Sequence, residues 1–345
     1  MHRLFLAPFA ILCLLSLLFV PSVFAEKTLE RVEPEFVWEI GTIVPGHMGW
    51  SKRAKELLIP LVDESTEGRV DVKVYWGGIK GYEDELIDKM NSGELAGTAL
   101  SGAGTTIICP EFAVLSLPYL FNGYDEVDHV RAKMWPVFES YMKKRGYQLI
   151  LWIDQDFDQI YSAKHDPSTL ARLRRAKFAQ WCGPVEKHVF TALGLDPIPI
   201  QVFDMPGMLR EEDFDAAVGP ALWVLGMQVY PTIKYMIRDN IRYSPVTVEV
   251  TNKVWEALPE EFRHMTLGKR DKVVEQFVEL AREDSERCIK AMKAYGLREV
   301  EMPPGEARKV REIAKSSWRI MAGDLFPREL LDELLAHLEE YRSSR

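Results

Sequence analysis

Apolar side chains recur along this chain at two different periods. FVWEIGTIV (36 to 44) reads as a strand, and RVDVKVYW (69 to 76) alternates as a half-buried strand does. Between them, the segment from Trp50 to Ser65 spaces its apolar residues helically, and YEDELIDKMNSGEL (82 to 95) is a second helix. TALSGAG (98 to 104) is expected as a short strand ending in small residues. YQLILWI (147 to 153) and AKFAQW (176 to 181) are further strands, separated by a loop and a basic turn. DKVVEQFVELAREDSERCIKAMKAYG (271 to 296) is a long amphipathic helix closed by Gly296, a residue type that caps helices because it tolerates positive φ. Strands alternating with helices predict an α/β fold with largely parallel sheets.

The first 25 residues follow another pattern. Arg3, the apolar run from Leu4 to Val20 and the small-residue exit Val23-Phe24-Ala25 have the layout of a secretory signal peptide cleaved after Ala25. As a membrane anchor the run is short at about 17 residues, broken by Ser16 and followed by Pro21. Cys13 follows Leu12, where a lipoprotein site would place Gly or Ala. The net charge of −9 grows more negative once Arg3 is removed, which disfavours nucleic acid and anionic membranes as partners. Three cysteines remain, Cys109, Cys182 and Cys288, without metal-type spacing. An odd number reads as buried thiols more readily than as a disulfide framework.

Catalytic signatures are missing. The chain has no His-Glu-x-x-His, no Gly-x-Ser-x-Gly and no phosphate-cradling Gly-x-x-x-x-Gly-Lys, and its histidines are scattered. Cys182 and His188, six residues apart, make a weak nucleophile and base pair. No enzyme activity, cofactor or metal is expected.

Four blocks in order, VPGHMGWSKRAKELLIPLVDESTEGRVDVKVYWGGIKG, PEFAVLSLPYLF (110 to 121), FTALGLDPIPI (190 to 200) and YSPVTVEVTNKVWEALPEE (243 to 261), carry a resemblance. Together they resemble the periplasmic solute-binding subunits of TRAP (tripartite ATP-independent periplasmic) transporters, the DctP-like family. The resemblance implies a two-lobed α/β periplasmic-binding fold of the type II kind, with crossing strands and a long helix spanning both lobes. Lobe one would comprise 32–156 plus 244–284, and lobe two 157–243 plus 285–345. It further implies a small-molecule ligand held in the cleft by hinge closure and TRAP membrane subunits as partners. A periplasmic helical-repeat protein is a further partner it allows, and the receptor would be a monomer, with a dimer as alternative. A periplasmic sensor or carrier that hands its ligand to a soluble partner would share the fold.

Members of this family clasp a carboxylate with an arginine on the strand opening lobe two. Counting back from FTALG places that arginine at Ala179, and a second family arginine falls at Asp158. In EDFDAAVGP (212 to 220), positions where the family carries Gly, Glu and Asn read Ala216, Val218 and Gly219. Arg172, Arg174, Arg175 and Lys177 precede the strand and are expected in a solvated turn. A small carboxylate would therefore meet Asp158 and no arginine, and losing one partner of a buried pair costs about 3 to 5 kcal/mol. The expected contact set is Trp50, Ser101, Thr105, Asp156, Asp158, Ala179, Trp181, Val202, Phe203, Val218, Gly219 and Trp223, with a ligand that is hydrophobic or otherwise not a simple carboxylate. DQDFDQ (154 to 159) opens like a calcium loop, but Gln159 and His165 stand where the turn glycine and closing glutamate belong. It is expected as a solvated hinge face, with contact to a cationic or hydroxylated ligand as the second reading.

Overall fold

Nine strands organise the described residues: β1 (Phe36–Thr42), β2 (Val70–Tyr75), β3 (Gly97–Ser101), β4 (Tyr147–Ser162), β5 (Ala179–Gln180), β6 (Ile198–Pro199), β7 (Ala216–Gly219), β8 (Tyr235–Thr251) and β9 (Arg298–Glu299). The computed structural model describes residues 33–345. The expected signal peptide, and residue 32 at the start of lobe one, lie outside the described residues. Seven strands form one sheet in the order β2-β1-β3-β8-β4-β7, with β9 beside β8, while β5 and β6 form a separate pair.

The sheet is mixed where the pattern predicted a largely parallel one. β2, β1 and β3 run parallel, but β3–β8, β8–β4 and β4–β7 are antiparallel. The cause is the pair β4 and β8, 16 and 17 residues long. One carries the chain across the molecule and the other brings it back, so they must oppose each other. Register shifts at Leu149/Leu151, Asp154/Asp156 and Asp158/Ile160 bend this ribbon along its length.

Several local expectations need adjusting. The segment 50 to 65 is helical, but Ala54–Leu58 widens into a π turn, with the Ile59 N–H reaching the Ala54 carbonyl. Pro60 follows directly; it has no N–H and its ring crowds the preceding turn. The strand at 98 ends at Ser101, whose hydroxyl accepts from the Gly104 N–H at 3.3 Å and starts the helix Gly102–Ile108. The strand expected at 176 to 181 shrinks to Ala179–Gln180, paired in parallel with Ile198–Pro199. The long helix runs Glu260–Tyr295, starting earlier than 271, and ends at Gly296 with φ 125°. It packs along β4.

Glu249 on β8 is fully buried. The Thr98 hydroxyl donates to it at 2.5 Å, its second oxygen has no partner, and burial pushes its pKa up to about 7. The folded protein therefore keeps this proton where the unfolded chain, near 4.5, has already released it. The resulting stability is complete below the unfolded value and is lost as pH rises through about 7. Glu249→Gln should gain stability relative to the parent protein between about pH 5 and about pH 8, by on the order of 2 kcal/mol. Urea denaturation of both proteins across that range reads the difference, in which any fixed cost of the amide cancels. A difference that stays flat with pH would contradict the assignment.

Candidate functional site

A cavity of about 270 Å³ opens where the crossing strands pass between the start of the helix Glu83–Ser92, the end of β3 and the segments after β5 and β6. This is close to the lower end of the range for small-molecule pockets. Tyr82, Glu83, Asp84 and Ser101 line one side, Trp181, Cys182, Val202 and Trp223 the other, and Gln155, Arg242 and Ser244 come from the crossing strands.

Arg242 dominates the electrostatics, and sequence reasoning did not find it. It faces Asp158 across the β4–β8 ladder, and its Nε donates to Asp158 Oδ2 at 2.7 Å, with a second, shorter contact from Nη2. Ser244 donates to the same oxygen at 2.8 Å. Burial works against the guanidinium's charge, but Asp158 outweighs it and keeps the pKa above the ordinary value. The expectation of a cleft containing Asp158 and no arginine is thus corrected. The arginine comes from β8, on a strand partner that no count along the chain could identify.

Two further acids frame the cavity, Glu186 buried and Glu83 half-buried. Glu186, in the first turn of the helix Pro184–Leu193, accepts from the Trp181 and Cys182 N–H groups, each at 2.9 Å. Burial pushes its pKa up to about 7, against the pull of Arg242. Glu83 accepts from the Ser101 N–H at 2.5 Å and from its hydroxyl at 2.8 Å, and burial raises its pKa. Burial likewise drives the Cys182 thiol well above its ordinary pKa, so it rests as a thiol, not a nucleophilic thiolate.

The apolar wall is a row of indoles. Trp223 meets Trp181 edge-on at 5.8 Å between ring centroids and Trp50 at 5.9 Å. Trp181 Nε1 donates to the Val218 carbonyl at 3.0 Å, and Trp50 Nε1 to the Gln155 carbonyl at 3.1 Å. Gly219 makes room for this row, since a Cβ there would sit 2.8 Å from the Trp181 ring.

Of the residues expected to meet ligand, Ser101, Trp181, Val202 and Trp223 line the cavity. Phe203 packs on Tyr82 at 5.5 Å, Val218 and Gly219 seat Trp181, Asp158 holds Arg242, and Trp50 backs Trp223. The others point elsewhere: the Thr105 hydroxyl pairs with that of Thr247 at 2.7 Å, Asp156 binds Tyr124 and Ser285, and Ala179 is wholly buried and absent from the lining. DQDFDQ is not a solvated face, because all of it is buried inside β4. Each aspartate takes its own protein donors, Asp154 from Arg131, Arg282 and Tyr243. The basic turn stays outside. Arg172 pairs with Asp166 at 2.5 Å, Arg174 donates to the Leu193 carbonyl at 2.8 Å, and neither lines the cavity.

Comparison with known proteins supplies the family. The model of bacterial extracellular solute-binding proteins, family 7, matches residues 40–324. The 2,3-diketo-L-gulonate-binding periplasmic protein YiaO of Escherichia coli is 19% identical over 80% of this chain and 83% of its own length. The sugar acid binding protein DctPAm of Advenella mimigardefordensis, crystallised with galactonate, superposes with a TM-score of 0.82 at 20% identity, covering 89% of this chain and 99% of that one. DctP7 of Bordetella pertussis, an extracytoplasmic solute receptor binding pyroglutamic acid, gives a TM-score of 0.80 at 17% identity over 88% and 99%. The shared fold is mixed α/β and two-lobed, and these relatives are receptors, not enzymes. With the family matched over most of its length and a ligand-sized cavity where its long strands cross, the chain belongs to family 7 of the bacterial extracellular solute-binding proteins, the DctP solute receptors of TRAP transporters.

Proposed function

We propose that this receptor, exported by its first 25 residues and working in the periplasm, captures a ligand with an apolar body and a neutral or cationic polar group, and delivers it to the TRAP membrane subunits. The observation that carries the reading is the state of Arg242. It is the one cation lining the cavity among the described residues, and Asp158 already occupies it. A carboxylate entering here would find no free positive charge and would face Glu83 and Asp84 on the opposite wall. The relatives' named ligands, diketogulonate, galactonate and pyroglutamic acid, are acids, so this chain would depart from them in ligand class.

The aromatic wall supports the same reading. Trp181, Trp223 and Tyr82 offer apolar faces to a ligand body, and indole faces attract cations as well. Glu83, Ser101, Gln155 and Ser244 supply hydrogen-bonding groups for a hydroxyl or an ammonium. Both proposed lobes, 32–156 plus 244–284 and 157–243 plus 285–345, contribute lining residues. Hinge closure would therefore complete the contact set, and the ligand would stabilise the closed form through contacts made only there.

Native mass spectrometry of the purified protein, followed by extraction and identification of what co-purifies, should yield a compound without a free carboxylate. In calorimetry, succinate and galactonate should fail to bind the parent protein at micromolar strength. Micromolar binding of either acid would overturn the ligand class while leaving the receptor assignment intact.

Asp158→Asn offers a second test. Removing the counter-charge leaves a buried guanidinium uncompensated, and the unfolding free energy should fall by on the order of 3 kcal/mol, read by urea denaturation. The freed cation should also bring carboxylate binding into range, at least about tenfold tighter than in the parent protein. A variant that keeps both the parent's stability and its indifference to acids would show that Asp158 does not neutralise the site.

A further inference from the structure

Away from the cavity, the C-terminal helix Arg328–Ser343 packs against the helix Tyr124–Lys144. His337 and Glu340 stand three residues apart on the former, which puts them on one face. His129 meets them from the latter, and the ligating atoms of the three lie within 4.8 Å of one another. His337 Nδ1 is 3.8 Å from Glu340 Oε2. The two imidazole rings are 6.5 Å apart and inclined at 70°, so they do not stack.

An ordinary packing account explains part of this. His129 lies 4.7 Å from the Tyr341 ring, and a His337–Glu340 pair three residues apart is a common feature of helix surfaces. It leaves one atom unexplained. His129 Nε2 is shut off from solvent and has no hydrogen-bond partner, a condition that costs about 1 to 3 kcal/mol. A cation coordinated through that nitrogen would satisfy it.

The donor set selects the ion. Zinc binds imidazole nitrogen and carboxylate oxygen at about 2.0 to 2.2 Å, which sets the donors of a tetrahedral site about 3.4 Å apart. The observed donors, all within 4.8 Å of one another, are somewhat wider than this, and the exposed Glu340, with 63% of its side chain accessible, can swing to close the site. Two nitrogens and one oxygen suit zinc and its neighbours better than calcium or magnesium, which want oxygen throughout. We propose that His129, His337 and Glu340 form a transition-metal site that fastens the C-terminal helix to the helix Tyr124–Lys144 and keeps one coordination position for water. The same pair of helices is already joined by Arg342 to Glu126 at 2.7 Å, so the metal would add a second fastening along that seam. None of its residues lines the ligand cavity, and the proposal stands independently of the ligand class.

The test uses the full chain without a histidine tag, stripped with chelator and titrated with zinc chloride by calorimetry and native mass spectrometry. One zinc per chain should bind at micromolar strength or tighter and raise the melting temperature, as any ligand of the native state does. His337→Ala and Glu340→Gln should each weaken binding at least about tenfold. Both positions are partly or largely exposed, so the fold should survive the changes. Cobalt(II) in place of zinc should give visible absorption that His129→Ala abolishes. Absence of a one-to-one zinc adduct, or equal affinity in the parent protein and both variants, would overturn the site.

Discussion

Burying charge inside the crossing strands is the constraint on which this structure rests. β4 carries Asp154, Asp156 and Asp158 at alternate positions with no exposure to solvent that would relieve them. An uncompensated buried carboxylate costs several kcal/mol, so each must recruit donors. Asp154 takes Arg131 and Arg282, Asp156 takes Tyr124 and Ser285, and Asp158 takes Arg242 and Ser244. These partners come from the helix Tyr124–Lys144, the long helix Glu260–Tyr295 and β8. Satisfying the aspartates therefore fixes how two helices and a strand dock on β4.

The same requirement shapes the cavity. Arg242 lies in its wall because Asp158 needs a cation there, and the pairing leaves little net charge for a ligand to use. Nearby, Glu186 gains two backbone donors yet stays half-titrated near neutrality, since burial opposes its charge. The indole row closes the other side, with Gly219 present because any larger residue would push Trp181 out of place. A departure that reads in sequence as a lost polar group is, in the folded protein, a packing solution.

Much of the fold was legible in the chain because periodicity is local. The strands at 36 and 69, the helix at 82 and the cap at Gly296 each follow from side-chain spacing within one segment. So does the absence of Arg172 and Arg174 from the cavity lining, since a basic turn beside a strand has solvent within reach. Trp181, Val202 and Trp223, which line the cavity, were reached through ordered blocks of family resemblance, which carry positional information that composition lacks. Where segments met across the sheet, the reading thinned: the strand at 176 shortened, and the sheet turned out mixed.

What the sequence determined by itself was therefore several of the elements, their order and the family. Only tertiary structure decided the electrostatics of the site. Whether DQDFDQ faces water or the interior depends on what covers β4, and that cover comes from residues more than a hundred positions away in Arg282 and Ser285. Arg242 likewise acquires its role from cross-strand register, a relation between two distant segments. Local pattern encodes which face of an element is apolar, but the charge felt at a point in space is summed over neighbours that the chain brings together only by folding.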